Sequence, residues 1–555
     1  MRLDPLAALR QAGEPNPIDR MVSFFNPRAG VKRMMARAAL NFATGGYDGA
    51  RGDNKLLRGM RTTDRGADGE TIGDLPALRA RSHELYRNSG FAGGAVKTTV
   101  TSVVGWGLDV QPRIDHRYLG MTTDEAREWQ RHAKRFWWQY AWSKACDWTG
   151  RCNFPGNTDL ALRSRLLSGD VFVSREWRPL RPGELFGTRI QLIEAARVCN
   201  PHNQSNTDTL VEGIELSPEG EPVACWVLDR FPDPMGLTAG TWTRLPFRGA
   251  KSGEARVIHL YRPDRPNATR GVPYLSGAIK PLRGLGMYSD NELMASIVSA
   301  LFTVFVEHSD LDEDDTSPIG IQEAAGLPAS GQSPERAAAE LRMGNAAIVD
   351  LVPGAKASFA NPTRPNGAFE PFVSAILQEV GVQLELPYEL VVKRFNSSYS
   401  ASMASLQEAW RFIKTERDWL INNFSQQIYE WMLAEAVLRG YLEAPGFFED
   451  PLARQAWCGA TWSGPSRGHI QPAQEASAAG QRMESGLTAM DEEISAYSGR
   501  DWEDVIEQRA LERRMLIDAG LTVEAVAQRV ISESTSTTVA PTDDPEKLDK
   551  PGEDD

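Results

Sequence analysis

The residues best able to do chemistry are Gly464-Pro465-Ser466-Arg467-Gly468, which fit the G-x-S-x-G pattern of a nucleophile elbow. An elbow holds its serine on a sharp turn between a strand and a helix, where a histidine from further along the chain takes the hydroxyl proton. Here the downstream histidine is His469, too near Ser466 in sequence to swing back onto it, and Pro465 and Pro472 disfavour the strand–turn–helix. A coincidental match is expected. Asp310, Asp312 and Asp314 mimic the start of a calcium loop, but the sixth position is Asp315 where glycine is needed and the twelfth is Ile321 where glutamate is needed. A solvated acidic loop is the reading. Cys146 and Cys152, with His132 nearby, lack the number and spacing of zinc ligands and read as buried thiols. There is no G-x-x-x-x-G-K-[ST] and no G-x-G-x-x-G; PGAKAS (353–358) has a lysine without the glycine framework that aims backbone N–H groups at phosphate. The seven histidines are scattered singly, with no partner pattern for acid–base work. No catalytic residue, metal site or cofactor is expected.

The elements that would position any site are mostly helices. A helical stretch runs from Leu78 to about Leu119, through VVGWGLDVQP, where two glycines flank Trp106. Residues 124–142 form an aromatic-rich helix with Trp129, Phe136, Trp137, Trp138, Tyr140 and Trp142, and 158–168 form another. The period then changes. DVFVSREW, TRIQLIEAARV, EGIELSPEGEPVACWVLD and EARVIHLYRP read as strands, with SPEGEP as a hairpin loop. A long helix follows from about Tyr274 to Glu307, with Pro273 at its start and Pro281 expected to kink it. The segment 316–365 reads as loops with a short helix near Pro334–Arg342 and a strand near Ala346–Leu351, and a further helix covers 368–383. The longest helix spans about Ser400 to Arg439, with Met403, Leu406, Trp410, Ile413, Leu420, Phe424, Ile428 and Trp431 near heptad spacing. Residues 465–530 are again helical. The fold class is α+β, predominantly α-helical.

Composition excludes several classes. The 555 residues carry 74 acidic and 61 basic side chains, a net charge of −13, which argues against a protein that grips nucleic acid over its whole surface. It does not exclude one that lets a duplex slide. The five cysteines are odd in number and irregularly spaced, so no disulfide framework is expected and a reducing compartment fits. The N-terminus has no apolar signal core, and the most apolar window, Met294–Val306, is too short to span a bilayer. Charge is uneven: residues 1–65 hold 12 Lys/Arg against 6 Asp/Glu, and 531–555 hold 8 Asp/Glu against 2 Lys. Both ends read as flexible, the second as a disordered acidic tail. Fifteen tryptophans suit packed interfaces between subunits, and equally an ordinary core.

Several stretches resemble the portal family of lambda-type long-tailed phages. They are RSHELYRNSGFAGGAVKTTVTSVVGWGLDVQP (81–112), CDWTGRCNF (146–154), RSRLLSGDVFV (163–173), IQLIEAARVCNP (190–201) and GIELSPEGEPVACWV (213–227), then RPNATRGVPYLSGAIKPLRGLGMYSDNELMAS (265–296), LVPGAKASFANPTRPNGAFEPFV (351–373), LPYELVVKRFNSSYSASMASLQEAWR (386–411) and WSGPSRGHIQPAQEASAAGQRMESGLT (462–488). Their shared order covers about residues 75–515; the family's acidic residue before the proline of the last motif is Gln471 here.

The resemblance implies a cyclic ring of twelve subunits with wing, stem, clip and crown regions. By position, 1–75 would be a flexible basic arm, 76–272 the α/β wing, 273–308 and 366–386 the two stem helices, 309–365 the clip, 387–399 a tunnel loop, 400–443 a long wing helix, 444–530 the crown and 531–555 the disordered tail. It implies a gate at one vertex of the virion, assembled in the bacterial host cytoplasm, through which double-stranded DNA is packaged and ejected. The implied partners are further copies of the chain, DNA, the terminase large subunit, major capsid and scaffold proteins and a head–tail connector, with no membrane. Lys393, Arg394 and Asn396 are the residues expected at the DNA, and Asp310, Asp312, Glu313, Asp314 and Asp315 those expected at the clip, repelling DNA or meeting a basic partner. A head–tail adaptor, another virion structural protein, is the alternative; a serine hydrolase using Ser466 is the more distant one.

Overall fold

The structure, a computed structural model, describes residues 17–44, 55–57, 59–61, 63–232, 240–301, 305–308, 355–358, 367–395, 398–466, 472–498 and 501–519. The chain divides into two units, Met1–Glu70 and Thr71–Asp555.

In the first unit, α1 (Pro17–Phe25) and α2 (Pro27–Thr44) pack on each other. Asn26 breaks them apart, its side chain accepting a hydrogen bond from the Ala29 N–H at 3.2 Å, as an N-cap does. Part of the segment read as a flexible arm is therefore helical. A short helix, α3 (Ala67–Thr71), follows.

The second unit opens with α4 (Leu75–Asn88) and α5 (Gly90–Val103), two helices within the one expected stretch. Ser89 divides them: its extended backbone ends α4 and its hydroxyl accepts from Ala92 N to start α5. After Val103 the chain turns at Gly105-Trp106-Gly107 into a strand, β1 (Asp109–Pro112), so the expected helix to Leu119 stops short. The next helix, α6 (Thr123–Trp142), starts on a capping box: Glu125 N–H donates to the Thr122 hydroxyl and Thr122 N–H to the Glu125 carboxylate. Its Trp129, Ala133, Trp137 and Tyr140 share the buried face. It is followed by α7 (Phe154–Ser168), capped by Asn153.

Three antiparallel strands, β2 (Asp170–Trp177), β3 (Thr188–Glu194) and β8 (Val257–Tyr261), form a sheet with β2 in the centre. A second sheet of β4 (Leu210–Val211), β5 (Ile214–Leu216), β6 (Pro222–Leu228) and β7 (Trp242–Pro246) meanders in chain order. The expected hairpin joins β5 to β6, with a register shift at Glu215/Leu216. Phe172, Ile193, Val198, Ile214, Cys225 and Val257 make a small core joining the two sheets.

Helix α8 (Ile279–Leu301) starts later than expected. A 3₁₀ turn, Ser276–Ala278, precedes it, which places Pro281 in the first helical turn. There its missing N–H breaks no hydrogen bond, so no kink is required. The helix also ends earlier: 305–308 belong to a strand, β9 (Phe305–His308), which pairs antiparallel with β10 (Ala355–Ser358). The helix and strand expected at 334–342 and 346–351 lie outside the described residues. Next come α9 (Phe369–Gln383), the short α10 (Tyr388–Val392) and α11 (Tyr399–Leu420), which runs through a π-helical segment, Ile421–Ser425, into α12 (Gln426–Leu438). The expected 400–439 rod is thus essentially present, at about 60 Å. Its two halves differ. α11 is amphipathic, whereas Ile428 through Ala436 of α12 are buried almost without interruption, as in a helix wrapped on all sides. α13 (Pro451–Trp457) leads to β11 (Ala460–Ser463), which pairs antiparallel with β1. α14 (Pro472–Glu484), α15 (Met490–Ser498) and α16 (Trp502–Asp518) complete the described chain.

Trp137 sits at the hub of the main core, edge-on to Phe154 at 4.8 Å, Tyr429 at 5.5 Å and Trp462 at 5.5 Å between ring centroids. Helices α6, α7 and α12 and strand β11 therefore converge on one indole.

Candidate nucleic-acid interface

Lys393 and Arg394 lie where the chain leaves α10 for α11. Leu386 before α10 and Val391 within it are buried, and Tyr388 reaches back to α9, its hydroxyl 3.1 Å from that of Ser374. Lys393 adopts the left-handed conformation (φ 54°) that stops α10 after little more than a turn. At the far end Ser398 caps α11, accepting from Ala401 N at 3.4 Å. Both ends of the excursion are thus fixed, and Lys393, Arg394 and Phe395 stand exposed on it. Arg394 Nη1 lies 3.1 Å from Glu370 on α9, an exposed pair worth at most about 1 kcal/mol. Asn396 lies outside the described residues, as do Asp310, Asp312, Glu313, Asp314 and Asp315.

Behind this turn, buried charges hold the helices in place. Glu416 of α11 is buried between Arg165 of α7, at 2.9 Å, and Arg262 beyond β8. Burial lowers the Arg165 guanidinium's affinity for its proton, and Glu416 restores part of it. Arg417 donates to the carbonyls of Val103 at 3.0 Å and Ser102 at 2.8 Å, satisfying the end of α5. The Tyr274 hydroxyl donates to the Leu384 carbonyl and ties the lead-in of α8 to the end of α9.

A second buried cluster centres on Asp170, the first residue of β2. Its carboxylate accepts from Arg270 Nε at 2.6 Å and Arg79 Nη2 at 3.0 Å, and His259 Nε2 lies 3.2 Å away. Arg270 also donates to the carbonyls of Val198, Glu212 and Ala195, and Arg79 to that of Ser168. Burial pushes the Asp170 carboxyl up, but Arg270, His259 and Arg79 outweigh it and hold it well below the usual carboxylate range. The approach is possible because Gly169 and Gly271 lie back to back: a Cβ on Gly169 would meet the Gly271 carbonyl oxygen at 2.2 Å. This cluster joins α4, the three-stranded sheet and the turn between β4 and β5 of the four-stranded sheet. No local motif marked it, because its members are about a hundred residues apart.

A strand, β11, does precede Ser466, ending at Ser463, contrary to the expectation that Pro465 would spoil it; His469 is outside the described residues. Cys146 is buried and free, its thiol pushed up to about 12 by burial, then by Asp147. Among the described residues no group of three His, Cys, Asp or Glu side chains could hold a metal ion, and no helix is long and apolar enough to cross a membrane.

The described residues thus form a frame of long helices, two small sheets and two strand pairs, with an exposed basic turn. The family model of phage portal proteins, lambda family, matches residues 53–417, and the chain belongs to that family. It is 25% identical over 504 residues to the portal protein of Escherichia phage N15, covering 88% of this chain and 94% of that one. It is likewise 25% identical over 498 residues to portal protein B of Escherichia phage lambda, covering 86% and 91%. Among solved structures it resembles a chain from the neck of a native gene transfer agent particle computed with C12 symmetry, with TM-score 0.45, 11% identity and coverage of 76% of this chain and 92% of that one. Portal proteins are structural components of the virion and not enzymes, which removes Ser466 as a nucleophile.

Proposed function

We propose that this chain assembles into a closed ring of twelve subunits at one vertex of the head of a tailed phage, and that DNA is packaged and ejected through its centre. The observation that carries the ring is the surface of α8 and α9. The two helices meet through Tyr288, stacked on Phe369 at 5.5 Å and edge-on to Phe372 at 4.8 Å. Beyond that contact Met287, Leu293, Met294 and Ile297 of α8 are exposed in the protomer. On a 3.6-residue helix they fall within a sector of about 120°. An apolar stripe on a projecting helix pair is a surface that another subunit covers.

In this reading 76–272 are the wing, 273–308 and 366–386 the stem, 309–365 the clip, 387–399 a tunnel loop, 400–443 the long wing helix and 444–530 the crown. Lys393, Arg394 and Asn396 touch the passing duplex; Asp310, Asp312, Glu313, Asp314 and Asp315 belong to the clip, which faces the terminase large subunit during filling and the head–tail connector afterwards. Capsid and scaffold proteins surround the ring, and assembly takes place in the cytoplasm of the bacterial host. The net charge of −13 supports a channel that does not cling. Every phosphate contact adds an energetic step to sliding, so an acidic wall with few cations keeps the duplex moving. Electron microscopy of the purified protein tests the proposal: closed cyclic particles with a central hole are expected, and a protein that stays monomeric under every assembly condition would overturn it.

A further inference from the structure

Trp106 is held out into solvent by a turn with little freedom. Gly105 (φ +57°) and Gly107 (φ +139°) flank it, both in the region that side chains avoid. A Cβ on Gly105 would meet Pro465 at 2.2 Å and one on Gly107 would meet Pro155 at 2.9 Å, so two proline rings clamp the turn. Trp106 is 70% exposed, and across a cleft of about 360 Å³ stand Trp138 at 55% and Trp142 at 48%, one turn apart on α6. The same cleft is lined by Asp109 of β1 and by Asp501 and Asp504 from the start of α16. Lys134 bonds Asp501 at 2.9 Å and Asp504 at 2.7 Å. One ammonium thus faces three carboxyl groups, and acidic charge remains in excess beside three exposed indoles, of which Trp138 and Trp142 lie against each other at 5.5 Å between ring centroids.

We propose that this cleft is a recognition site for the guanidinium of an arginine presented by a protein partner. Large aromatic side chains are expensive to leave in water, and three of them around one cavity form a surface to be covered. Indole faces attract cations, and a guanidinium stacks flat on them while its fork of N–H donors bonds carboxylates. A compact, strongly hydrated ammonium does this less well, and an anionic polymer such as DNA is repelled by the acidic wall. The turn is fixed in advance, so binding costs little ordering. The site is complete within one protomer and does not depend on the ring.

The test uses the full-length protein and a dye-labelled, otherwise uncharged peptide with one central arginine, followed by fluorescence anisotropy. Saturable binding is expected. Replacing the arginine by citrulline, or making Trp138→Leu or Asp504→Asn in the protein, should each weaken it by roughly 2- to 30-fold. Trp138 is largely exposed, so Trp138→Leu should keep the parent's melting temperature and circular dichroism; Asp504 also helps to hold α16 on Lys134, so Asp504→Asn counts only with hydrogen exchange over 502–518 matching the parent's. Three results overturn the proposal: equal affinity for the arginine and citrulline peptides; binding indifferent to both substitutions, which would mean general attraction to an acidic chain; or no binding because a second copy already covers the cleft.

Discussion

Asp170 shows how much one residue can organise. It is fully buried, and so is Arg270, yet the pair is tolerated because nearly every polar atom of the cluster has a partner. Asp170→Asn would leave two guanidinium groups buried without their anion, and a loss of about 3–5 kcal/mol is expected in denaturant unfolding; a loss near zero would show that the cluster only fills space. The pH dependence follows from directions. Because the folded pKa of Asp170 lies below its unfolded value, its contribution is complete at neutral pH and is lost on acidification below about pH 4. His259 acts higher on the scale. Burial lowers its pKa, although Asp170 opposes the shift, so below about pH 6.5 the unfolded chain takes up the proton first and stability falls with pH. Comparing urea midpoints from pH 8 to pH 5, His259→Gln should lose part of that slope; an unchanged slope would assign it to other groups, such as His83, whose pKa burial also lowers.

At the scale of elements, helices differ in what holds them. α12 is enclosed by core on all sides, whereas α15 and α16 have no buried residue. Those two are attached by charge: Lys134 to Asp501 and Asp504, Arg127 to Glu503 at 3.7 Å, and Arg113 to Asp491 at 3.3 Å. In the Lys134 group burial pulls the lysine's pKa down, but hydrogen bonds to Asp504 and Asp501 outweigh it and raise it overall. Salt weakens such attachments, since the Debye length shrinks to a few ångströms, about 3 Å, at 1 M. Hydrogen exchange over 490–498 and 502–518 should therefore accelerate with ionic strength while that over Gln426–Leu438 does not; equal salt responses would mean that packing, not charge, holds the outer helices. On α8, Met294→Asp changes an exposed position and should leave the protomer folded while blocking assembly, as read by sedimentation velocity. Rings of normal size from that variant would remove the α8 stripe from the proposed interface.

For the whole molecule, the tension is between an acidic chain and a basic turn. A net charge of −13 repels a duplex in general, while Lys393 and Arg394 sit exposed on an excursion fixed at both ends. If the proposed channel reading holds, Lys393→Glu with Arg394→Glu should leave assembly intact and reduce the amount of DNA packaged or retained. Normal packaging by the double variant would take these two residues out of the channel. Arg394 also pairs with Glu370, but that exposed contact is too weak for its loss to unfold the turn.

What the sequence determined by itself was local. The period of Trp129, Trp137 and Tyr140 specifies α6, short runs bounded by turn residues specify β2 and β3, and the order of short motifs points to the family that the comparisons then show. These signals are legible because each rests on residues a few positions apart. The tertiary structure decided what depends on distant segments meeting. Asp170 finds Arg79 and Arg270 from 91 and 100 positions away, β1 pairs with β11 across some 350 residues, and Trp106 meets α6 and the start of α16 in one cleft. The start of α8 belongs with these: Pro273 suits a first turn, yet the tie from Tyr274 to Leu384 keeps that segment outside the helix until Ile279. Burial and charge pairing act through space, and a pattern read along the chain carries no record of which partners the fold will supply.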